Sequence, residues 1–183
     1  MNNSTDSIID SATDALVPEN PLGRLLYAVS YLFAVTGGLV VSALAVMVVI
    51  SVIGRWLFSY PIPGDFELVA LGTAVSIFLF LPYCHMRRGN IIVDLFLSWA
   101  PKQVQALFDA IGSLGLALIA AMLAWRMGIG GVDAVRSGET TYTLALPIWW
   151  AYPFAVSSLA LLTAVGLYAA VQELARSLRG RGR

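Results

Sequence analysis

Residues 25–53 read LLYAVSYLFAVTGGLVVSALAVMVVISVI, a stretch without one charged side chain. Coiled into a helix, these roughly 29 residues would measure about 43 Å, more than the ~30 Å hydrocarbon core of a bilayer requires. The solvent around this segment is therefore lipid. Arg55 closes the run, and Ser59-Tyr60-Pro61-Ile62-Pro63-Gly64 supplies a loop rich in turn residues.

Working outward, three further apolar runs follow. The second covers about 68–85, and Pro82 near its end is expected to kink or terminate the helix. The third covers about 104–125, with Pro101 where a first-turn proline is tolerated and Arg126 as its end. The fourth covers about 144–171 and opens on Pro147 and Trp149-Trp150, whose rings suit the aromatic belt of a membrane interface. With the first span at about 25–53, they predict an all-α membrane domain of four transmembrane helices over residues 22–175.

The connections are equally readable. Between helices two and three, Arg87-Arg88-Gly89 leads into apolar residues that include Ile91, Val93, Leu95 and Trp99, mixed with Asp94. That segment is too short to span, so about 90–100 is expected to lie in the membrane plane with Trp99 at headgroup level. Residues 127–143, carrying Gly128, Gly130, Gly131, Asp133, Arg136 and Glu139, read as a polar loop. Residues 1–21 are acidic and expected to be flexible; lacking a basic n-region, they are not expected to be a cleaved signal peptide. Residues 176–183 form a basic tail.

Orientation follows from basic residues in the short connections, which are retained on the cytoplasmic side. Arg24, Arg87, Arg88, Lys102, Arg176, Arg179, Arg181 and Arg183 fall on one side, against Arg55, Arg126 and Arg136 on the other. Both termini are thus expected in the cytoplasm.

Composition excludes several functions. Of 183 residues 58% are hydrophobic and 12% charged, where a soluble domain carries about a quarter charged residues. Formal net charge is zero, so no basic surface exists to neutralise nucleic-acid phosphates. Cys84 is the only cysteine and His85 the only histidine, which removes an intramolecular disulfide, a CxxC pair and a haem held between two histidines of this chain. There is no Ser, His and Asp triad, no phosphate-cradling glycine loop and no metal-ligand spacing, so neither an enzyme nor a cofactor is expected.

What remains is packing and charge placement. Small residues four apart line one face of helix one (Ala34, Gly38, Ser42), of helix two (Gly72, Ser76) and of helix three (Ser113, Ala117, Ala121), as close-packed membrane helices require. Asp109 lies shallow in helix three and is expected to pair structurally with Lys102 or with Arg87-Arg88. Arg55 and Glu67 flank the first outer loop, placed either to pair across it or to remain solvated. His85 is expected at the interface rather than as a ligand.

Three stretches then carry a resemblance: Arg55-Trp56-Leu57-Phe58; Pro63-Gly64-Asp65-Phe66-Glu67-Leu68; and Arg88-Gly89-Asn90-Ile91-Ile92-Val93-Asp94-Leu95. They resemble the small membrane subunit, DctQ-like, of tripartite ATP-independent periplasmic (TRAP) transporters. The likeness covers spacing and helix order over about 25–174, and Leu146-Pro147-Ile148-Trp149-Trp150 is similar to the start of that family's last helix. Arg55, Glu67, Gly89, Val93, Asp94, Pro147 and Trp149 are the positions that match, while Asn90 stands where the family commonly has histidine.

The resemblance implies a scaffold subunit in a bacterial or archaeal inner membrane. Its implied partners are a large multi-helix TRAP membrane subunit, which holds the ion and substrate sites, and a periplasmic substrate-binding protein. The implied activity is ion-coupled uptake of organic-acid anions. Ile91, Leu95 and Trp99 are candidates for bracing the large subunit, and Asp65, Asp133, Arg136 and Glu139 for receiving the binding protein. Two other readings stay open, a membrane anchor for an enzyme complex and a small homo-oligomeric transporter.

Overall fold

A bilayer offers no water to unpaired peptide groups, so segments this apolar close their hydrogen bonds internally as helices. The computed structural model of the protein describes residues 20–58, 62–87 and 102–179. Four helices occupy them: α1 (Pro21–Phe58), α2 (Asp65–Met86), α3 (Lys102–Ser137) and α4 (Tyr152–Arg179), the last preceded by a 3-10 turn over Ile148–Ala151. All four are long and apolar enough to cross a membrane. No strand occurs among the described residues beyond one antiparallel bridge between Thr140 and Pro147. The in-plane segment expected at 90–100 and the acidic segment expected at 1–21 lie outside the described residues.

The helices form a row rather than a closed bundle. Neighbours are α1 with α2, α2 with α4, and α4 with α3, while α1 and α4 meet only slightly. Lipid gives helices no hydrophobic reason to associate, so these seams depend on small side chains that admit a close approach. At the α3–α4 crossing a Cβ on Gly166 would come within 3.0 Å of the Ala117 Cβ and 3.1 Å of the Ser113 carbonyl. Ser113, Ala117 and Ala120 are buried there, and Ala120 packs with Leu159 and Leu162 in the apolar core. Ala121, expected on that face, is turned outward.

On α2 the small-residue expectation meets two neighbours. Gly72 is filled from α1 by Leu44, whose Cδ1 would lie 2.6 Å from an added Cβ, and the Ser76 hydroxyl donates to the Gly72 carbonyl at 2.8 Å. On α1 the inward residue is Gly37, against Leu79, Phe80 and the Ser76 carbonyl. Gly38, one residue and about 100° further round the helix, has nothing within 4 Å of the position a Cβ would take.

Pro82 neither ends nor breaks α2, which runs on to Met86. Proline has no N–H to give the carbonyl four residues back, so Phe78 loses its intrahelical donor. In lipid that carbonyl needs another partner, and the Ser158 hydroxyl of α4 donates to it. The break in one helix thus becomes a bond between two.

The third helix corrects another expectation. It does not stop at Arg126 but continues to Ser137, through the glycines read as loop. Gly130 and Gly131 lie against Tyr152 at the start of α4, where a Cβ on Gly131 would sit 3.0 Å from the Tyr152 Cβ. They are helical glycines kept small for a neighbour. The fourth helix likewise continues beyond the expected 171, to Arg179.

The Pro82 arrangement gives a quantitative expectation. Ser158→Ala should cost about 0.6–1.7 kcal/mol, the range for interhelical hydrogen bonds in membranes. With alanine at position 82, whose N–H restores the Phe78 bond, the same change should cost measurably less; a double-mutant cycle of unfolding in detergent reads the coupling.

Candidate functional site

Polar chemistry concentrates at the end of the row where α1 and α3 finish and α2 and α4 begin. Gly64 opens α2 from the left-handed region, φ 74°, and the Glu67 and Leu68 amides return to its carbonyl at 3.1 Å each. Glycine is required there twice over: its φ disfavours any Cβ, and that Cβ would collide with the Leu144 side chain.

Asp65 closes the α1–α2 hairpin. Its Oδ2 accepts the Ser51 hydroxyl at 2.7 Å and lies 3.5 Å from Arg55 Nη2, while Oδ1 accepts the Phe66 amide at 2.8 Å. Ser51 in turn accepts the Ile62 amide at 3.3 Å. The Arg55 side chain is 53% exposed, so the long ion pair adds little to what the buried Ser51 bond already holds. Arg55 therefore reaches Asp65 and not Glu67.

Glu67 has a different task. Its Oε1 accepts the Thr143 amide at 2.7 Å and its Oε2 the Leu144 amide at 3.1 Å, with the Thr141 and Thr143 hydroxyls beside them. One carboxylate thus satisfies two consecutive peptide donors of a loop 76 residues away in sequence. The loop supports itself as well: the Thr141 amide donates to the Leu146 carbonyl at 2.9 Å, the Leu146 amide to Thr141 Oγ1 at 3.1 Å, and the Ile148 amide to the Glu139 carbonyl at 3.1 Å. Pro147 fits because the ring fixes φ at −67° where the bridge to Thr140 needs extended backbone. Ala145 is held at φ 51°, a strained conformation for a residue with a Cβ.

The outcome is a fixed platform. Tyr142 stands at its tip fully exposed, Trp56 and Phe66 are exposed on α1 and α2 below, and Trp149 is half-exposed in the 3-10 turn. Asp133, Arg136 and Glu139 are all exposed, the first two on the last turns of α3. Trp125, Gly128, Ile129 and Val132 join Asp133 and Arg136 along a shallow groove of about 430 Å³ on that helix. Of the residues singled out in the sequence, Asp65, Glu67 and Pro147 are drawn into the clamp that joins the α1–α2 hairpin to the 139–148 loop, whereas Asp133, Arg136 and Glu139 are exposed. Gly89, Ile91, Val93, Asp94, Leu95 and Trp99 lie outside the described residues. Sequence reasoning missed Ser51, Thr141 and Thr143; the Thr-Thr-Tyr-Thr run of 140–143 was the available signal, since its hydroxyls and amides need acceptors.

No charged side chain occupies the middle of α1, α2 or α4: α1 has none between Arg24 and Arg55, and α2 none between Glu67 and Arg87. Asp109 belongs to the opposite end of the row, in the second turn of α3. Among the described residues, no three His, Cys, Asp or Glu side chains come together in a metal-binding group.

Residues 44–176 match the sequence family described as tripartite ATP-independent periplasmic transporters, DctQ component. No curated protein and no solved structure matches the chain.

If the Glu67 carboxylate orders the platform, Glu67→Gln should leave the helices intact yet speed hydrogen exchange of the Thr143 and Leu144 amides several-fold, because glutamine keeps one acceptor oxygen and sets an NH2 donor against the other amide. Exchange rates at those two positions check it, with the α3–α4 seam as the internal standard.

Proposed function

The chain belongs to the DctQ component family of tripartite ATP-independent periplasmic transporters, and from that premise we propose that it is the stationary scaffold of an organic-acid uptake system in an inner membrane. A large multi-helix subunit seats against it and carries the ion and substrate sites. A periplasmic substrate-binding protein docks at the clamp end.

The observation that carries this reading is the state of α1. It is the most apolar of the four candidate spans, with a mean hydropathy of 2.5, yet only 6% of its best membrane window is buried in the chain. Of its stripe of Ala34, Gly38 and Ser42, Gly38 has no neighbour within 4 Å of an added Cβ among the described residues and Ser42 is exposed, its hydroxyl satisfied on the Gly38 carbonyl. A helix with small residues on an uncovered face can accept another helix at close range without leaving a polar group unpaired. The in-plane segment with Ile91, Leu95 and Trp99 would brace the same partner.

Ion-coupled transport needs charged or polar groups at depth, since one charge at mid-bilayer costs at least about 2.5 kcal/mol. The middles of α1, α2 and α4 carry no charge, and their hydroxyls at Thr36, Ser42, Ser76 and Ser158 are spent on backbone carbonyls, so on this reading the coupling ion and the anion are handled by the large subunit. The distribution of basic residues puts Arg24 and Arg87 on the cytoplasmic side, with the platform in the periplasm. There Asp133, Arg136 and Glu139 offer both signs of charge to a soluble partner.

Because Gly38 has open space around it within the chain, Gly38→Phe should leave the isolated protein folded but sharply reduce recovery of the large subunit when the two are co-purified in mild detergent. Undiminished recovery would move the interface elsewhere. Separately, reversing Arg136 and Glu139 together should raise the concentration of binding protein needed for half-maximal uptake and change its dependence on salt. Uptake assays with added binding protein read both quantities.

A further inference from the structure

Because α3 runs on to Ser137, Arg126 stands inside a helix able to cross a membrane and not at its end. Two contacts fix its depth. Met127, beside it, and Phe78 of α2 pack against the same core residues, Ala120, Leu159 and Leu162. Phe78 lies about 16 Å along α2 from Glu67 and about 14 Å from Arg87, the charged residues that bound the apolar run of α2. Together these lengths make up the ~30 Å of a hydrocarbon core. The second contact agrees. Gly131 meets Tyr152, and from that level Arg126 is about 8 Å deeper along α3 and Ser158, which bonds Phe78, about 9 Å deeper along α4. Arg126 is therefore near the midplane. A hydrocarbon layer shifted until Arg126 reached its edge would bring Arg87 to the middle instead.

The side chain is exposed, on a face of α3 turned away from the Ala117 and Ala120 seam. Its neighbours one turn away, Met122, Leu123, Ile129 and Gly130, offer no side-chain acceptor. Among the described residues Arg126 has no hydrogen-bond or ion-pair partner. Asp133 is about 10 Å further along α3, and helical side chains lean toward the N-terminus, away from it. Asp109 is about 25 Å back along the helix, and Glu173 lies beyond Gly166, which meets Ala117 about 13 Å from Arg126. Lipid cannot answer the charge either. Phosphates stay in the headgroup layers, and half a hydrocarbon core is longer than an arginine stem can snorkel.

We infer that the outer face of α3 is an intramembrane contact in which Arg126 meets a carboxylate on a transmembrane helix of the large subunit. The identity of the partner rests on the scaffold reading; the need for an acid at this depth does not. A guanidinium suits the contact because its planar fork can engage both oxygens of one carboxylate. Exposed Met122, Trp125 and Ile129 surround the charge, and the groove of about 430 Å³ that continues to Val132 gives a neighbouring helix apolar surface to fill. Such a pair is stabilising only when both members are present, so α3 is at its most stable inside the assembly.

The test compares the wild type with Arg126→Leu and Arg126→Lys, each as the full chain alone and co-expressed with the large subunit. Alone in detergent, Arg126→Leu should unfold at the wild-type temperature or above it, since no bond within the chain is lost. A lower midpoint, or failure to fold, would show that an acid of this chain is the partner, Asp94 included, and would overturn the inference. In mild detergent, Arg126→Leu should weaken association with the large subunit about tenfold, whereas Arg126→Lys, which keeps the charge, should weaken it only about threefold. Neutralising the large subunit's membrane-span Asp and Glu residues one at a time should find one whose effect matches that loss and disappears when position 126 is already leucine. Undiminished association of Arg126→Leu, or no carboxylate coupled to it, would overturn the contact and leave the scaffold reading standing. A large subunit that does not associate with the wild type would overturn both.

Discussion

The Phe78 carbonyl is a group its own helix cannot satisfy, and the rest of the arrangement turns on how that is resolved. In water such a carbonyl would be solvated at little cost; in hydrocarbon it must find a protein donor or leave the bilayer. Ser158 provides the donor from α4. The two helices joined in this way are the inner pair of the row, and α1 and α3 each attach to one of them. Shape does the remaining work, through Gly72 receiving Leu44 and Gly166 receiving Ala117.

The same scarcity of water explains why polar side chains gather at the ends. Glu67 and Asp65 both stand in the first turn of α2, where a helix favours negative charge, and each takes up donors that would otherwise be unmet near the membrane surface. Their roles diverge through geometry alone. Asp65 faces the last turns of α1 and ties a local hairpin, whereas Glu67 ties the distant loop between α3 and α4. Together they make one rigid end from segments that meet only in three dimensions.

This division also marks what was legible in the sequence. Long apolar runs, three of them uncharged and the third interrupted only by Asp109, located all four helices able to cross a membrane. The run of small residues in α2 and the opening of α3's stripe were correctly seen as packing faces, since Gly72, Ser113 and Ala117 lie inside. Failure came where the deciding partner was remote. Gly128, Gly130 and Gly131 looked like a loop because glycine is poor in helices, yet the last two answer to Tyr152, which local sequence does not reveal. Arg55 was expected either to pair with Glu67 or to stay solvated; it reaches Asp65 instead, and the Thr143 and Leu144 amides occupy Glu67. For Pro82, expected to kink or terminate the helix, the helix does not end there, and the Phe78 carbonyl that the proline leaves without a donor is met by Ser158, 80 residues away.

The pair Gly37-Gly38 shows how one helix can serve two neighbours. Successive residues point about 100° apart, so two glycines in a row open two separate flanks of the same turn. Gly37 is used by α2, where an added Cβ would come within 3.2 Å of the Leu79 Cβ, whereas among the described residues no other helix comes within 4 Å of the position a Cβ on Gly38 would take. Glycine in a helix interior is less stable than alanine by about 1 kcal/mol. At position 37 close packing offsets that loss, but at position 38 no intramolecular contact does. A second close-packed helix on that flank is the arrangement that would balance both positions, and it would cover α1 where the described residues leave it bare.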